Sequence, residues 1–329
     1  MARNVNSAFD EFLKETVRLD KDRSDLAKTS KNSLITQVSN FPDDGVFPLL
    51  HPDLSIDYGS FSRKTKIRPL DDIDIMVILH AQGSIRVDNW EHIEIQVNPG
   101  AKTLLPLCND GTYILNSIKV INKFKEYIKN VKMYSKSEIK RNQEALTLNL
   151  SSYEWVYDLV PCFIASDFNS STFYLIPDGK GNWKKTDPRI DKQRTESINS
   201  SQDISVLDVI RVFKFWTKRS TMPTMKSYYL ENLILNYYDT KTSSNSIRVE
   251  ILNILAHIYH NVALPLNDPK GFQGDINHLT VEERDKIKNK AAEDFHKAKN
   301  ANAAEESGNM KESIAIWTEI FGGNFPKYF

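Results

Sequence analysis

The first half of the chain combines strand-like patterns of apolar residues with helix-like ones. Ile73–Leu79 is rich in β-branched residues and predicts a buried strand, and apolar side chains alternate with polar ones over Ile93–Val97. Leu146–Leu150 and Trp155–Ile164 predict two more strands, and the short polar turn between them favours a hairpin. We therefore expect a mixed sheet before about residue 165.

Helical spacing appears at the start of the chain and again in its middle. Residues 5–40 predict a helix that is broken near Asp20, because apolar residues such as Phe9 and Leu13 recur on one face. Residues 112–129 predict a second, strongly amphipathic helix. These two helices are expected to belong to the same part of the chain as the strands.

The second half begins with a change in composition and then becomes helical. Gly, Pro, Asn, Ser and charged residues dominate between Ser166 and Ser201, which predicts a long loop. Apolar residues then recur at helical spacing almost to the end, with Asp203 and Thr280 as expected N-caps. Gly322 is expected to end the last helix in a left-handed conformation.

This order of elements predicts an α+β protein with two lobes. A mixed-sheet lobe is expected over residues 1–200 and a helical lobe over 201–329. We expect the helix at residues 5–40 to pack on both lobes. An active site is expected in the cleft between the lobes, where binding sites commonly form.

Composition narrows the class of protein without naming a function. Of 329 residues, 40% are apolar and 26% charged, and Lys plus Arg equals Asp plus Glu at 43 each. Without net charge there is no general attraction to nucleic acid or to a membrane, so no large nucleic acid partner is expected. No segment approaches the roughly 18 apolar residues of a membrane span, so a cytoplasmic protein is expected.

The cysteines and histidines do not form a recognisable metal-binding motif. Cys108 and Cys162 lie far apart and have no neighbouring Cys or His, so both are expected to be buried thiols. His257 and His260 have the spacing of neighbours on a helix, but no further ligand follows them, and no zinc site is expected.

The main chemical signal is a small-residue turn followed by an acidic strand. The turn is Tyr58-Gly59-Ser60-Phe61-Ser62-Arg63-Lys64-Thr65, and the strand begins with Asp71-Asp72-Ile73-Asp74. Alternate residues of a strand share a face, so Asp72 and Asp74 project together, and two such carboxylates repel unless a cation lies between them. Gly59 lets a polyphosphate approach, and Ser60 offers it a hydroxyl and an N–H. The pattern indicates a site for Mg²⁺ and a nucleoside triphosphate.

Asp158 is the candidate for a third carboxylate. It lies within an apolar run, where an acid is costly to bury unless a cation or hydrogen-bond donors compensate it. Three carboxylates suffice to hold two divalent ions for phosphoryl-type transfer, in which positioning and charge neutralisation supply most of the rate. Asp71 is expected to point away from Asp72 and to play no part in metal binding.

The Gly59–Thr65 string, the spacing to Asp71–Val77 and the later Asp158 together resemble the polymerase-β-type nucleotidyltransferase superfamily. Within it the chain resembles the bacterial cGAS/DncV-like nucleotidyltransferases (CD-NTases) of anti-phage CBASS signalling. The resemblance implies a bilobed fold in which Asp72, Asp74 and Asp158 bind two Mg²⁺ or Mn²⁺ ions. It also implies synthesis of a cyclic oligonucleotide from ATP, alone or with another NTP, with release of pyrophosphate.

Two later segments, Arg211–Trp216 and Lys226–Glu231, resemble the family's signatures in the helical lobe. Carried over by position, Lys214 would reach the triphosphate, Ser227 would bind a phosphate and Tyr228 would stack on a base. The alternative is structural, since aromatic residues at helical spacing are usually core and a lysine beside them usually packs its stem. Trp183–Arg189 also resembles a family segment, and it could border a nucleotide pocket or be a solvated loop.

Two other functions remain open from the sequence. The same acids would serve an enzyme that makes a linear oligoadenylate or transfers one nucleotide to RNA or protein. A nucleotide-binding regulator without turnover would also keep the binding residues. The resemblance further implies a downstream effector that binds the product, and for some members a regulatory partner protein. Base identity, ring size, linkage, activation and oligomeric state are left open.

Overall fold

The computed structural model describes residues 2–329, which form two compact units. The sheet unit comprises Asp22–Ser62 and Leu70–Arg189. The helical unit comprises the described part of Met1–Lys21 together with Arg63–Pro69 and Ile190–Phe329. The chain therefore passes between the units four times. The predicted lobe limits of 1–200 and 201–329 stay a prediction.

The described residues form ten helices and nine strands. The helices are α1 Val5–Glu11, α2 Lys21–Ser39, α3 Gly59–Ser62, α4 Ser117–Asn130, α5 Pro188–Ser200, α6 Val206–Thr217, α7 Ser227–Tyr238, α8 Ile247–Asn261, α9 Val281–Glu306 and α10 Met310–Phe321. The strands are β1 Leu50–Asp57, β2 Asp72–Leu79, β3 Ile85–Asp88, β4 Ile93–Gln96, β5 Glu138–Asn142, β6 Ala145–Asn149, β7 Val156–Ser166, β8 Thr172–Pro177 and β9 Trp183–Thr186. All nine strands belong to one mixed sheet.

The sheet is organised around the long strand β7. The strand order is β1-β2-β7-β8-β9-β4-β3, and β6 also pairs with β7 while β5 pairs with β6. Only the β2–β7 pair is parallel, and the other pairs among the described residues are antiparallel. The predicted hairpin is confirmed, since β6 and β7 are antiparallel neighbours.

β2 and β7 are interior strands of the sheet, each with a neighbouring strand on both sides. From Ile75 onward every residue of β2 is buried, as expected for a strand covered on both faces. One face of this pair packs Met76 and Ile78 against Val160 and Cys162. Because β2 is apolar from Ile75 onward and β7 is apolar from Leu159 to Ala165, the acids are confined to the beginning of each strand.

The helical unit closes around an aromatic core near the two ends of the chain. Phe9 packs edge to face against Trp317, with ring centroids 5.0 Å apart, and against Phe325 at the same distance. Ala2 forms a bridge with Tyr328. Aromatic pairs of this kind add about 0.5–1.5 kcal/mol each beyond the area that they bury. The core therefore anchors the N-terminal helix to the C-terminal one.

The predicted break of the N-terminal helix is confirmed, whereas two other helix limits differ for local reasons. The break near Asp20 arises because α1 continues as a π-helical turn over Phe12–Val17 and Arg18 is extended before α2 begins at Lys21. Helix α4 begins at Ser117 rather than near residue 112, because the side chain of Asn116 caps it. The α6 cap is Ser205, not Asp203.

The prediction of a long loop over Ser166–Ser201 is wrong, since this stretch contains β8, β9 and α5. Its Gly, Pro and Asn residues are concentrated in the turns between these elements, and they obscured the apolar strand β8. Gly322 ends α10 with a positive φ of 83°, but its ψ of −176° is extended rather than left-handed helical. The capping box of Thr280 and Glu283 is confirmed at the start of α9.

Both cysteines are buried free thiols, as predicted. Burial raises the pKa of the Cys162 thiol well above its usual range. In residues 2–329 no helix has the length and apolar character needed to cross a bilayer.

Candidate active site

The three predicted carboxylates lie on the two central strands of the sheet unit. Asp74 on β2 is level with Asp158 on β7, and Asp72 stands two residues before Asp74. Residues level with each other on neighbouring strands share a face, as do alternate residues of one strand, so all three side chains project from the same face. The structure therefore brings together acids that are far apart in the sequence.

The Gly-Ser turn lies directly beside Asp74. The N–H of Tyr58 donates a 3.4 Å hydrogen bond to the backbone carbonyl of Asp74. Gly59 has a φ of +71°, and a Cβ at this position would lie 1.8 Å from Oδ2 of Asp74. Both the backbone conformation and the available space thus require glycine here. Ser60 follows in α3, so the turn and the acidic strand are joined as the sequence predicted.

Two neighbours show how the acids influence this face. Burial and then the negative charges of Asp74 and Asp158 raise the pKa of the Tyr58 hydroxyl well above its usual range. On the other side, Thr147 of β6 is level with Asp158 and donates a 2.6 Å hydrogen bond from Oγ1 to Oδ1 of that carboxylate. The face therefore carries local negative potential, although the whole chain has no net charge.

The donor set fits a hard divalent cation. Carboxylate oxygens are the preferred protein ligands of Mg²⁺, which usually keeps several waters and takes one or two carboxylates together with substrate phosphates. In residues 2–329 no three His, Cys, Asp or Glu side chains are already grouped as an all-protein metal cage. Gly59 lets the Asp74 carboxylate lie directly against the turn, where a side chain on residue 59 would displace it. These residues thus suit Mg²⁺ or Mn²⁺ bound together with a nucleotide.

Lys214 lies in the helical unit and is held by a buried acid. Its ammonium is 2.5 Å from Oε1 of Glu231 and 3.5 Å from Oγ1 of Thr65. Arg63 contacts the other oxygen of Glu231 through Nε at 2.9 Å. Burial alone would raise the pKa of Glu231, but the charges of Arg63 and Lys214 outweigh it and lower that pKa to about 2. The contact of Lys214 with a triphosphate stays a prediction.

Ser227 and Tyr228 open helix α7 in the same unit. Ser227 is exposed in the first turn, and the N–H of Lys226 before it donates to Nε2 of His278 at 3.2 Å. Such a helix start suits a phosphate, because its N–H groups point outward.

The Tyr228 side chain is engaged at both its hydroxyl and its ring. The hydroxyl is within hydrogen-bond distance of Asp191 at 2.9 Å and Asp268 at 2.7 Å. The ammonium of Lys270 lies 3.9 Å from the ring centroid. Base stacking by Tyr228 and phosphate binding by Ser227 stay predictions.

The segment Trp183–Arg189 is ordered rather than a solvated loop. Trp183 is fully buried and donates from Nε1 to the carbonyl of Leu115 at 3.1 Å. Arg189 pairs with Asp187 at 2.8 Å and lies over the ring of Tyr174. The segment therefore holds the edge of the sheet unit together, whatever its part in nucleotide binding.

The chain has a relative of known class along its full length. A protein named as a probable cyclic nucleotide synthase, from Bacillus cereus (strain VD146), is 41% identical over 333 residues, covering 100% of this chain and 99% of that protein. The chain belongs to the bacterial cGAS/DncV-like nucleotidyltransferases. No family model matches this nucleotidyltransferase. Its predicted enzyme class is confirmed.

Solved structures of the family share the fold of this nucleotidyltransferase. E. coli MS115-1 CdnC, in a structure with ATP, has a TM-score of 0.70 at 15% identity and covers 97% of this chain and 98% of CdnC. The apo form of Vibrio cholerae DncV has a TM-score of 0.68 at 12% identity, covering 97% of this chain and 96% of DncV. At these identities the likeness shows the fold, and it confirms the predicted α+β nucleotidyltransferase class.

Sequence reasoning missed two groups of residues in this nucleotidyltransferase. Thr147 could have been found, since the predicted hairpin places a polar residue of its first strand opposite Asp158 on the second. The contacts of Arg63 and Lys214 with Glu231 had no such signal, because those residues are distant in the chain and their pairing depends on tertiary packing.

Proposed function

We propose that this nucleotidyltransferase makes a cyclic oligonucleotide from ATP, alone or with a second NTP. In each step a sugar hydroxyl of one nucleotide attacks the α-phosphorus of another, and pyrophosphate leaves. The observation that carries the proposal is the level placement of Asp74 and Asp158 on parallel strands, with Gly59 against the Asp74 carboxylate. The full-length similarity to a probable cyclic nucleotide synthase supports it.

The residues of the sheet unit would bind the metal and orient the phosphates. Two bound divalent ions would supply charge neutralisation and activation of the attacking hydroxyl. We assign Asp72 and Asp74 to both ions and Asp158 to the side of the attacking hydroxyl. Gly59 and Ser60 would admit the triphosphate and donate to it, because glycine leaves room and serine supplies a hydroxyl.

The residues of the helical unit would bind the rest of the nucleotide. Ser227 would donate to a phosphate at the start of α7, and Tyr228 would stack on a base, which contributes about 1–3 kcal/mol and tolerates different bases. Lys214 would contact the triphosphate only if its ammonium moves away from the Glu231 carboxylate or contacts the carboxylate and the triphosphate at the same time. A base-tolerant contact leaves the choice of second NTP to other residues.

We place this activity in anti-phage signalling, as the family resemblance implies. The product would act on a downstream effector that binds it. A regulatory partner protein is also proposed, because the structurally similar CdnC is described in a complex with HORMA-deltaN. We propose a cytoplasmic enzyme without a membrane partner or a large nucleic acid partner.

The decisive experiment incubates the purified protein with labelled NTP mixtures and Mg²⁺ or Mn²⁺, followed by phosphatase. A cyclic product has no terminal phosphate, so label should survive the phosphatase, and mass spectrometry should identify its bases and ring size. Label that is lost to phosphatase or to exonuclease would indicate a linear product instead. Release of no pyrophosphate under any mixture would contradict the proposal.

A further inference from the structure

Thr147 makes a direct hydrogen bond to one of the three acids. Its Oγ1 donates to Oδ1 of Asp158 at 2.6 Å. This length is typical of a hydroxyl that donates to an ionised carboxylate, a bond that is stronger than one between neutral groups. No predicted role had been given to this residue.

The sheet fixes the position of Thr147 in three ways. Thr147 is level with Asp158 in the antiparallel β6–β7 pair, so both side chains lie on the same face. Leu146 and Leu148 on either side are fully buried on the other face. Since a slip of one residue would turn both leucines to the acidic face, the register of β6 is strongly specified.

The threonine side chain suits this task better than a flexible donor would. Its β-branched carbon restricts χ1, so the hydroxyl keeps its direction in a strand. The bond to Oδ1 limits rotation of the Asp158 carboxylate about its last torsion, which is otherwise broad. It therefore fixes which oxygen of Asp158 faces the other two acids.

We propose that Thr147 is a positioning residue that orients Asp158 for metal binding. This inference rests on the proposed function, in which Asp158 is a metal ligand. Outer groups that hydrogen-bond to metal-binding side chains typically alter metal affinity or activity by about 10- to 100-fold when they are removed. Thr147 acts through Asp158 and is not assigned any contact with the nucleotide.

The test compares three variants of the full-length protein. Thr147→Val keeps the shape and removes the hydroxyl, Thr147→Ala removes it with a smaller side chain, and Thr147→Ser keeps it. The matched control is Thr36→Val, which removes a threonine hydroxyl bonded to the carbonyl of Asn32 in α2 of the same unit. Mn²⁺ binding without nucleotide is measured by electron paramagnetic resonance, and activity is measured against Mg²⁺ and ATP concentration.

We expect Thr147→Val and Thr147→Ala to bind Mn²⁺ about 10- to 100-fold more weakly, with lower kcat and a nearly unchanged KM for ATP. Thr147→Ser and Thr36→Val should keep Mn²⁺ affinity and kcat within about threefold of the wild-type values. The serine keeps the hydrogen bond to Asp158, and the Thr36 hydroxyl does not contact the site. Wild-type Mn²⁺ affinity in both Val and Ala variants would overturn the inference.

Asp158→Asn separates this inference from the proposed function. If that variant keeps its activity and its Mn²⁺ affinity, the assignment of Asp158 itself is wrong. If it loses both while Thr147→Val and Thr147→Ala lose neither, only the role of Thr147 is refuted. Loss of activity and of Mn²⁺ affinity in Asp158→Asn, Thr147→Val and Thr147→Ala supports both the role of Asp158 and the role of Thr147.

Discussion

The acidic face of the sheet unit places carboxylates next to one another, whereas the interior of the helical unit places most of its buried acids next to bases. On β2 and β7 three carboxylates share one face, and the charges of two of them add to the effect of burial in raising the pKa of Tyr58. In the helical unit five buried acids lie within ion-pair distance of bases: these are Asp191, Asp208, Asp268, Glu231 and Asp294. A sixth, Glu250, accepts a 2.6 Å hydrogen bond from the hydroxyl of Tyr238.

Under the proposed function, this difference separates charge that holds the fold from charge that binds metal. A buried acid that contacts a base satisfies its charge inside the protein, and breaking such a pair is strongly destabilising. Like charges placed side by side raise the free energy of the folded state unless a cation joins them. We therefore expect substitutions of the acids on the acidic face to affect turnover and substitutions of the buried, ion-paired acids in the helical unit to affect stability.

The largest effect is expected when Asp72 or Asp74 is changed to Asn. Loss of a metal ligand should lower kcat by about a thousandfold or more, while the fold survives. Asp71→Asn, at an exposed neighbour, is the matched control and should change kcat by less than about threefold. Full activity in both Asn variants would show that the site lies elsewhere.

Glu231→Gln tests how much a buried ion pair contributes to the stability of the helical unit. It removes the charge that Arg63 and Lys214 share, and it should lower the free energy of unfolding by about 3 kcal/mol at pH 7. Urea denaturation measures this loss, with the exposed Glu196→Gln in α5 as the control. An unchanged stability would mean that this buried pair does not hold the helical unit.

Gly59→Ala tests whether the position of the Asp74 carboxylate matters for turnover. The added Cβ would press on the Asp74 carboxylate, so we expect kcat to fall by about 10- to 100-fold. Gly111→Ala is a close control, because Gly111 has a similar φ of +73° but no atom within 4 Å of the added Cβ. Equal activity losses in the two variants would indicate backbone strain rather than displacement of Asp74.

The smallest effect concerns pH and also depends on Glu231. Its folded pKa of about 2 lies below the ordinary 4.5, so its contribution to stability is complete above pH 4.5 and is lost as pH falls towards 2. Between pH 7 and pH 4 the stability advantage of the wild type over Glu231→Gln should shrink by about 1 kcal/mol. An advantage that stays constant or grows on acidification would contradict the assignment.

Local patterns were enough to predict part of the fold. The β-branched run of β2 and the apolar spacing of the later helices were correctly interpreted, because each carries its period within a few residues. Strand β1 was missed, since Pro52 and a positive φ at Leu54 interrupt the alternation. Strands β8 and β9 were missed because the turns around them dominate the composition.

The candidate site also has a part that local sequence patterns predict and a part that depends on tertiary packing. The shared face of Asp72 and Asp74 follows from alternation within one strand, and the structure bears this geometry out. The level placement of Asp158 depends on parallel pairing between distant strands, which no local pattern encodes. The contact of Lys214 with Glu231 likewise arises only from the packing of separate helices.

The interleaving of the two units has a consequence for synthesis on the ribosome. The sheet unit has all its residues once Arg189 has been translated, whereas the helical unit needs the first residues and the last ones. At about 5–20 residues per second, Ile190–Phe329 takes roughly 7 to 28 seconds to translate. During that time Phe9 has neither Trp317 nor Phe325 to cover it. A nascent chain therefore leaves this part of the N-terminal aromatic cluster uncovered until Trp317 and Phe325 have emerged and α10 has packed.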